Sequence, residues 1–359
     1  MTTLEEKHEA IKLITDNSQR IFCWNYDRSR DQLVTLYNKA MASQWNSVTE
    51  LDWSTEVDPE ELIRTSPQGS AIVGLARAAA EIEGSPLKSW GEKEYTALGI
   101  ESFKAQLSQF MHGEQGAMMV AAKIVETVPW IDAKYYAATQ VMDEARHVEV
   151  FAKYLDTKLT DHYPVNAHLK ALLDDILMDS RWDMTYLGMQ IMVEGLALAA
   201  FGFLHSMTTE PLLKQLLRYV MSDEARHVAF GVLSLQEYYG ELSSKELLER
   251  QEFAFEAAVR MRDRFLQQEV WERMGVDVRT MVKLQLENEG DKNEDPFQQL
   301  LFSKIVPNCK KLGLLDRNDK WLRHRFEEMG VIQFEDLADT GEEYVEFALD
   351  ASTPVIAGE

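Results

Sequence analysis

The hexapeptide DEARHV occurs twice in this chain, at 143–148 and again at 223–228. Both copies lie in stretches whose apolar residues recur at intervals of three and four, which predicts helices. Each copy therefore places two acidic residues, an arginine and a histidine on a helix that is otherwise suited to a core. Burying ionisable groups costs free energy unless they are paired or bind a metal ion. A fold that buries this hexapeptide twice must provide partners for both copies.

The two copies belong to a longer internal repeat with an offset of 80 residues. Aligning 110–148 with 190–228 superimposes one further glutamate and the Glu-x-x-His of each copy. The repeat indicates one structural unit used twice. The aligned pairs are Glu114 with Glu194, Glu144 with Glu224, and His147 with His227.

Each upstream glutamate lies 30 residues before the glutamate of its hexapeptide, and a turn signal lies halfway between them. The midpoints are Pro129 and residue 209, which is close to Pro211. Proline and polar residues at these points indicate helix ends. Because a helix rises about 1.5 Å per residue, both carboxylates of a pair would lie about 22 Å from their turn. The spacing predicts two αα-hairpins, each with two glutamates facing each other.

Glycine and proline are sparse in the chain, at 18 and 9 of 359 residues, and strand-like alternation is almost absent. These features predict an all-α fold. No linker is apparent, so we expect a single domain over 1–359, with a metal-binding four-helix core at 91–239 and a helical C-terminal extension at 240–359. The segment 45–68 is predicted to be a loop. The core helices are predicted at 91–128, 130–159, 182–207 and 210–239.

The charge balance restricts the partners, because 60 acidic residues oppose 37 basic ones and the net charge is -23. Such a surface disfavours nucleic acid and anionic membranes. Cys23 and Cys309 form no disulfide framework, and the N-terminal segment lacks the apolar stretch of a signal peptide. The apolar run 187–205 contains Glu194, which favours a core helix over a membrane span. We therefore expect a cytoplasmic protein.

The four glutamates and two histidines point to a metal centre. Two divalent ions would neutralise four carboxylates. One Glu from each of two helices plus a Glu-x-x-His from each of the other two is the ligand plan of a carboxylate-bridged dimetal site in a four-helix bundle. Oxygen and imidazole ligands suit iron or manganese, and zinc is possible; two iron ions, or a mixed Mn/Fe site, are expected from the family resemblance described below. The predicted ligands are Glu114, Glu144, His147, Glu194, Glu224 and His227.

The other charged residues of the two hexapeptides are predicted to support those ligands. A histidine that binds a metal needs its second ring nitrogen held by a carboxylate or carbonyl. Asp143 and Asp223 are placed to do this, each for the histidine of the opposite hairpin. Arg146 and Arg226 could hold these aspartates in bidentate pairs. Trp45, in contrast, is interpreted as a packing residue.

The ligand pattern resembles the ferritin-like di-iron carboxylate superfamily, and the doubled DEARH is similar to the bacterial multicomponent monooxygenase hydroxylases and related di-iron oxygenases. The resemblance covers about 105–232. It implies a ferritin-like four-helix bundle built from two αα-hairpins, with additional N- and C-terminal helices. It also implies an O2-activating non-haem di-iron oxygenase or oxidase that hydroxylates, N-oxygenates, desaturates or cleaves a small organic substrate. Since no flavin or iron–sulfur motif is visible, electrons would come from a separate reductase or ferredoxin, and a homodimer is expected.

Three positions depart from particular subfamilies. Phe151 replaces the radical tyrosine of many ribonucleotide reductase small subunits, Val220 replaces the extra histidine of aryl-amine N-oxygenases, and Leu198 replaces a threonine of the monooxygenase hydroxylases. The alternatives left open are a ferroxidase or other iron-handling protein, a protein like a ribonucleotide reductase small subunit, and a metal-free structural bundle.

Overall fold

The computed structural model describes residues 14–263, 266–288 and 296–337, and within these ranges all regular structure is helical. The predicted all-α fold is therefore confirmed. In chain order the helices are α1 (Asp31–Ala42), α2 (Pro59–Thr65), α3 (Pro67–Ala80), α4 (Glu92–Thr127), α5 (Ile131–Tyr154), α6 (Ala167–Met178), α7 (Trp182–Met207), α8 (Pro211–Glu241), α9 (Ser244–Asp263), α10 (Gln268–Arg273), α11 (Val278–Asn288), α12 (Pro296–Lys311) and α13 (Trp321–Glu328).

Four long helices form the centre of the fold. Helices α4 and α5 pack along each other as one hairpin, and α7 and α8 form the second. The chain reverses at 128–130 and at 208–210, the two predicted midpoints. The hairpins then meet through α5 with α8 and α4 with α7. The expected ferritin-like arrangement, a four-helix bundle of two αα-hairpins, is confirmed, and α1 packs across α5 and α8 on the outside.

The turn of the second hairpin is fixed by a buried glutamate. The Glu210 carboxylate accepts backbone N–H groups of Leu212 and Leu213 at 2.8 and 2.7 Å, which satisfies two donors at the start of α8. Pro211 follows at the first helical position, where its missing N–H has no cost. The Tyr154 hydroxyl on α5 donates to the same carboxylate at 2.9 Å. One side chain thus begins α8 and also ties it to the other hairpin.

Helix α7 is not a regular α-helix throughout. Residues Leu187–Val193 form a π-helical segment that ends directly before Glu194. Such segments are rare and often occur at functional sites, because the extra residue changes which side chains face the core. Helix α8 approaches this segment very closely, since a Cβ atom on Gly231 would lie 2.4 Å from Cβ of Gln190. The absence of a side chain at 231 allows the contact.

Helix α7 is also the one described helix that is long and apolar enough to cross a membrane. Of its most apolar window, 78 % is buried inside the protein. It packs against α8 and α12 as the third helix of the bundle. Its apolar character is therefore that of a core helix, as predicted for 187–205.

The loop prediction for 45–68 is wrong at its end, where Pro59–Thr65 forms α2. The Asp58 side chain accepts the backbone N–H groups of Glu60 and Glu61, and Pro59 occupies the first helical position. This is a strong helix start, and its signal was present in the sequence. The short length of α2, seven residues, leaves little periodicity to detect.

The helices after residue 241 pack onto the bundle, and a buried ion pair joins them to it. Arg250 on α9 donates to both carboxylate oxygens of Asp183 on α7, at 2.9 and 3.1 Å. Their side chains are 4 % and 2 % exposed. The division into a core at 91–239 and an extension at 240–359 remains a prediction, and 338–359 lie outside the described residues.

We expect Arg250→Ala to destabilise the protein by about 3–5 kcal/mol, because it leaves the Asp183 carboxylate buried without its cation. Arg64→Ala is the matched control, since the Arg64–Glu61 pair is exposed and such pairs contribute little. Denaturant unfolding of both variants measures the difference. Equal stability of the two variants would contradict the prediction.

Candidate metal centre

All six predicted ligand residues converge inside the bundle. Glu114 and Glu194 are 3 % and 1 % exposed, and the other four are completely buried. Among the described residues, two groups of four offer ligand atoms within 4.8 Å of one another. Glu144 and Glu224 belong to both groups. The first group is Glu114, Glu144, His147 and Glu224, and the second is Glu144, Glu194, Glu224 and His227.

His147 defines the first position. Its Nδ1 atom lies 3.2 Å from Oε2 of Glu114, 3.4 Å from Oε2 of Glu144 and 3.1 Å from Oε1 of Glu224. One imidazole nitrogen and three carboxylates thus surround a single point. These donors come from three helices, α4, α5 and α8, which the hairpin turns bring to the same height.

His227 defines the second position in the same way. Its Nδ1 atom lies 3.0 Å from Oε1 of Glu144, 3.4 Å from Oε2 of Glu224 and 4.0 Å from Oε2 of Glu194. The two oxygens of Glu144, and likewise those of Glu224, therefore face different imidazoles. Glu144 and Glu224 could therefore each contribute to two neighbouring metal sites.

The outer nitrogen of each imidazole contacts an aspartate of the other hairpin. Nε2 of His147 lies 3.0 Å from Oδ2 of Asp223, and Nε2 of His227 lies 3.4 Å from Oδ2 of Asp143. With Nε2–H donated to a carboxylate, the Nδ1 lone pair is directed at the centre. The structure brings these residues together as the sequence analysis expected.

The two arginines neutralise the two aspartates. Arg146 donates to Asp143 and Arg226 donates to Asp223, each through Nη2. Each Nη2 also lies 3.7 Å from the aspartate of the other hairpin. These are single-nitrogen contacts rather than the expected bidentate pairs, because Nη1 of Arg146 instead donates to Gln44 and to the Trp45 carbonyl.

Trp45 has a role that the sequence analysis missed. Its indole N–H donates to Oδ2 of Asp223 at 2.8 Å, the same oxygen that contacts His147. The Arg146 guanidinium lies 4.9 Å from the centre of the indole ring, and the Tyr219 ring stacks on the indole with a centroid distance of 4.9 Å. A single tryptophan in the loop after α1 gives no periodic signal, so the sequence offered no means to find this contact.

The electrostatics of the centre follow from burial and from like charges. Burial raises the pKa of Glu114 and of Glu194, and the shared carboxylates Glu224 and Glu144 add to the effect. Burial alone would lower the pKa of His147 and His227, but the surrounding carboxylates outweigh it and raise both. In the absence of a metal, this cluster therefore retains protons.

Several buried atoms of the cluster make no hydrogen bond of normal geometry, although other donor atoms of the cluster lie 3.0–3.4 Å from them. They are Oε2 of Glu144, both carboxylate oxygens of Glu224 and Nδ1 of His227. Such atoms are rare in folded proteins and costly. Divalent ions would satisfy all of them, and oxygen with imidazole donors suits iron and manganese. The protein thus contains a buried carboxylate–histidine cluster that could bind two metal ions.

A narrow pocket reaches the cluster between α4 and α7. It is open to solvent and contains about 20 Å³ of free volume. Glu114 and Glu194, the two glutamates that are not shared, form its polar part. Its other lining residues are mainly small or apolar, namely Phe110, Gly113, Ala117, Val193, Ala197 and Phe201, together with Gln109.

We expect metal binding to release protons, because ligand carboxylates and imidazoles must be deprotonated. Because the pKa values of Glu114 and Glu194 are raised, protons compete with metal ions for these carboxylates at pH values above the usual titration range of a carboxyl group. Metal affinity should therefore rise with pH over a range above that in which an ordinary carboxyl group titrates. Calorimetric titration in buffers of different ionisation enthalpy counts the protons, and a heat that is independent of the buffer would contradict the prediction.

No protein-family model matches the sequence, and no curated protein matches it. Among solved structures, the chain is similar to an R2-like ligand-binding oxidase with an aerobically reconstituted metal cofactor after photoconversion. The identity is 16 % and the TM-score 0.48, over 78 % of this chain and 92 % of that chain. A point variant of an R2-like ligand-binding oxidase with an anaerobically reconstituted Mn/Fe cofactor has 17 % identity and a TM-score of 0.46, with the same coverage.

Proposed function

We propose that this chain is an O2-activating non-haem di-iron oxidoreductase that acts on a small organic substrate. The observation that carries the proposal is the pair of overlapping ligand groups that share Glu144 and Glu224. The unpaired buried atoms of these groups support the presence of metal ions. When bound, two iron ions would supply the electrons and the Lewis acidity for O2 activation. The proposed ligands are Glu114, Glu144, His147, Glu194, Glu224 and His227.

The aspartates and arginines would set the donor properties of the two histidines. Asp223 and Asp143 accept from Nε2 and so fix the tautomer whose Nδ1 is free to bind. The charges of Arg146 and Arg226 offset the two aspartates. The net negative charge of the centre then comes from the four glutamates, which matches two divalent ions.

Aromatic rings on one side of the centre would keep bulk water away from the reaction. Phe151 lies one turn after His147, and its ring centre is 5.9 Å from that of Phe110 and 5.6 Å from that of Phe201. All three side chains are buried. A phenyl ring at 151 offers no phenol for a stable radical, which supports oxidation of a substrate rather than the role of a tyrosyl-radical subunit.

The pocket between α4 and α7 would admit O2 and a small, largely apolar substrate to Glu114 and Glu194. Hydroxylation, N-oxygenation, desaturation and oxidative cleavage are all compatible with such a site. An external reductase or ferredoxin as electron donor, a homodimer and a cytoplasmic location complete the proposal.

A ferroxidase or iron-storage protein is the second candidate, because it would use the same ligands. Iron stoichiometry distinguishes the two functions: an enzyme site saturates, whereas storage continues after O2 is supplied. A metal-free structural bundle is disfavoured by the unpaired buried atoms of Glu144 and Glu224.

We expect the full chain to bind about two Fe(II) ions under anaerobic conditions, one for each ligand group. The double variant His147→Ala/His227→Ala should lose most of this binding, because each group loses its only imidazole. His112→Ala is the matched control, since the hydrogen bond of His112 to the Tyr163 carbonyl lies outside the cluster. Metal quantitation and Mössbauer spectra before and after O2 exposure measure the outcome.

Three results would contradict the proposal. The first is an absence of iron binding by the wild-type chain, and the second is undiminished binding by the double variant. The third is uptake of iron far beyond two ions after O2 is added, which would establish the iron-storage alternative.

A further inference from the structure

The two halves of the internal repeat differ at three positions that contact one another. With the offset of 80 residues, Gln140 corresponds to Val220, Gln190 corresponds to Phe110, and Gly231 corresponds to Phe151. Both glutamines are completely buried. Gln140 of the first half and Gln190 and Gly231 of the second therefore lie on one side of the cluster, and the corresponding residues Val220, Phe110 and Phe151 are all apolar.

The two glutamines form a hydrogen-bonded chain that ends on two glutamates. Nε2 of Gln190 donates to Oε1 of Gln140 at 2.6 Å. Nε2 of Gln140 then donates to Oε1 of Glu144 at 2.9 Å and to Oε1 of Glu194 at 3.2 Å. Ionised carboxylates can only accept, so with both glutamates ionised the Gln140 amide presents its nitrogen to them and its oxygen to Gln190. The bond from Gln190 to that oxygen stabilises this orientation of the Gln140 amide.

Gly231 provides the space for this chain. A Cβ atom there would lie 2.4 Å from Cβ of Gln190 and 3.3 Å from its Cγ. At the corresponding place in the other half, the Phe151 ring packs against Phe110. The differences at 190 and 231 therefore depend on each other through side-chain size. Gly231 leaves room for the buried Gln190 amide, whereas the Phe110 and Phe151 rings fill the corresponding space.

Both bonds from Gln140 end at the second metal position. The Glu144 oxygen that accepts from Gln140 is Oε1, which faces His227 at 3.0 Å. Glu194 is the unshared glutamate of that position. It lies 4.0 Å from Nδ1 of His227, whereas Glu114 at the first position lies 3.2 Å from Nδ1 of His147. The unshared glutamates are therefore held by different partners, one by an imidazole and the other by an amide.

On the basis of the proposed dimetal function, we propose that Gln140, oriented by Gln190, is a positioning residue that makes the two metal positions unequal. It holds one oxygen of Glu144 and one oxygen of Glu194, two of the three glutamates of the second position, and the apolar pair Val220 and Phe110 provides no equivalent at the first. Partners that orient metal ligands typically change metal affinity 10–100-fold when they are removed. The second position should therefore depend on Gln140, and the first should not.

The test compares three variants of the full chain with the wild type. Gln140→Val installs the residue of the other half and removes both bonds to the glutamates. Gln190→Leu keeps those donors but removes the bond that orients them. Val220→Ala is the matched control, since it removes apolar volume at the corresponding position without removing a hydrogen bond. Anaerobic Fe(II) titration, Mössbauer spectra and thermal unfolding of the metal-free proteins are measured for each.

In Gln140→Val we expect one of two iron ions to bind about 10–100-fold more weakly while the other is retained. The Mössbauer signal of one iron should change and that of the other should not. Gln190→Leu should show the same effect more weakly, and it should add nothing when combined with Gln140→Val. If Gln140→Val does not fold, Gln190→Leu supplies the comparison.

Wild-type protein that binds no iron would overturn the proposed function, and this inference with it. Wild-type protein with two irons, together with unchanged affinities and spectra in the glutamine variants, would overturn the inference alone. Equal weakening in Gln140→Val and Val220→Ala, in step with their melting temperatures, would also overturn it, because a packing role alone would then explain the loss.

Discussion

The structure depends on one electrostatic problem, the burial of four carboxylates at the centre of a helical bundle. Glu144 and Glu224 are completely buried, and three of their four oxygens make no hydrogen bond of normal geometry. No arrangement of the two imidazoles can pair all of these oxygens, because each imidazole has only one nitrogen facing the centre. The helices can therefore pack at this height only if protons or cations compensate the charge. The stability of the bundle and the occupancy of the site therefore depend on the same charge compensation.

The surrounding residues form successive layers of hydrogen bonds and ion pairs around the buried carboxylates. Asp143 and Asp223 hold the imidazoles, and the two arginines hold the aspartates. Trp45 and Gln44 then connect this layer to the loop after α1. Beyond it lie apolar clusters formed by all four long helices. Opposite charges are thus paired in successive layers from the centre outward. Trp45, in the outer layer, stacks on the partly exposed Tyr219.

Much of this arrangement could be predicted from the sequence, because the motif occurs twice with the same spacing to its upstream glutamate. The equal spacing of 30 residues within each half placed both turns correctly, and the helical period identified which residues share a face. Contacts made by isolated residues could not be found in this way. Trp45 contacts Asp223 from a loop without periodicity, and the Arg146 contacts depend on where Gln44 and the Trp45 carbonyl lie. The short helix Pro59–Thr65 was missed because its start signal had no periodic stretch behind it.

The sharing of Glu144 and Glu224 has a consequence for protein synthesis. Each group of ligands contains at least one residue from both hairpins. In a nascent chain that has emerged only as far as the first hairpin, the first group lacks Glu224 and the second group has Glu144 alone. Both groups become complete together, when residues up to His227 are available and the second hairpin has docked. If the cluster binds metal as proposed, its full set of ligands would therefore form only at the last step of bundle assembly.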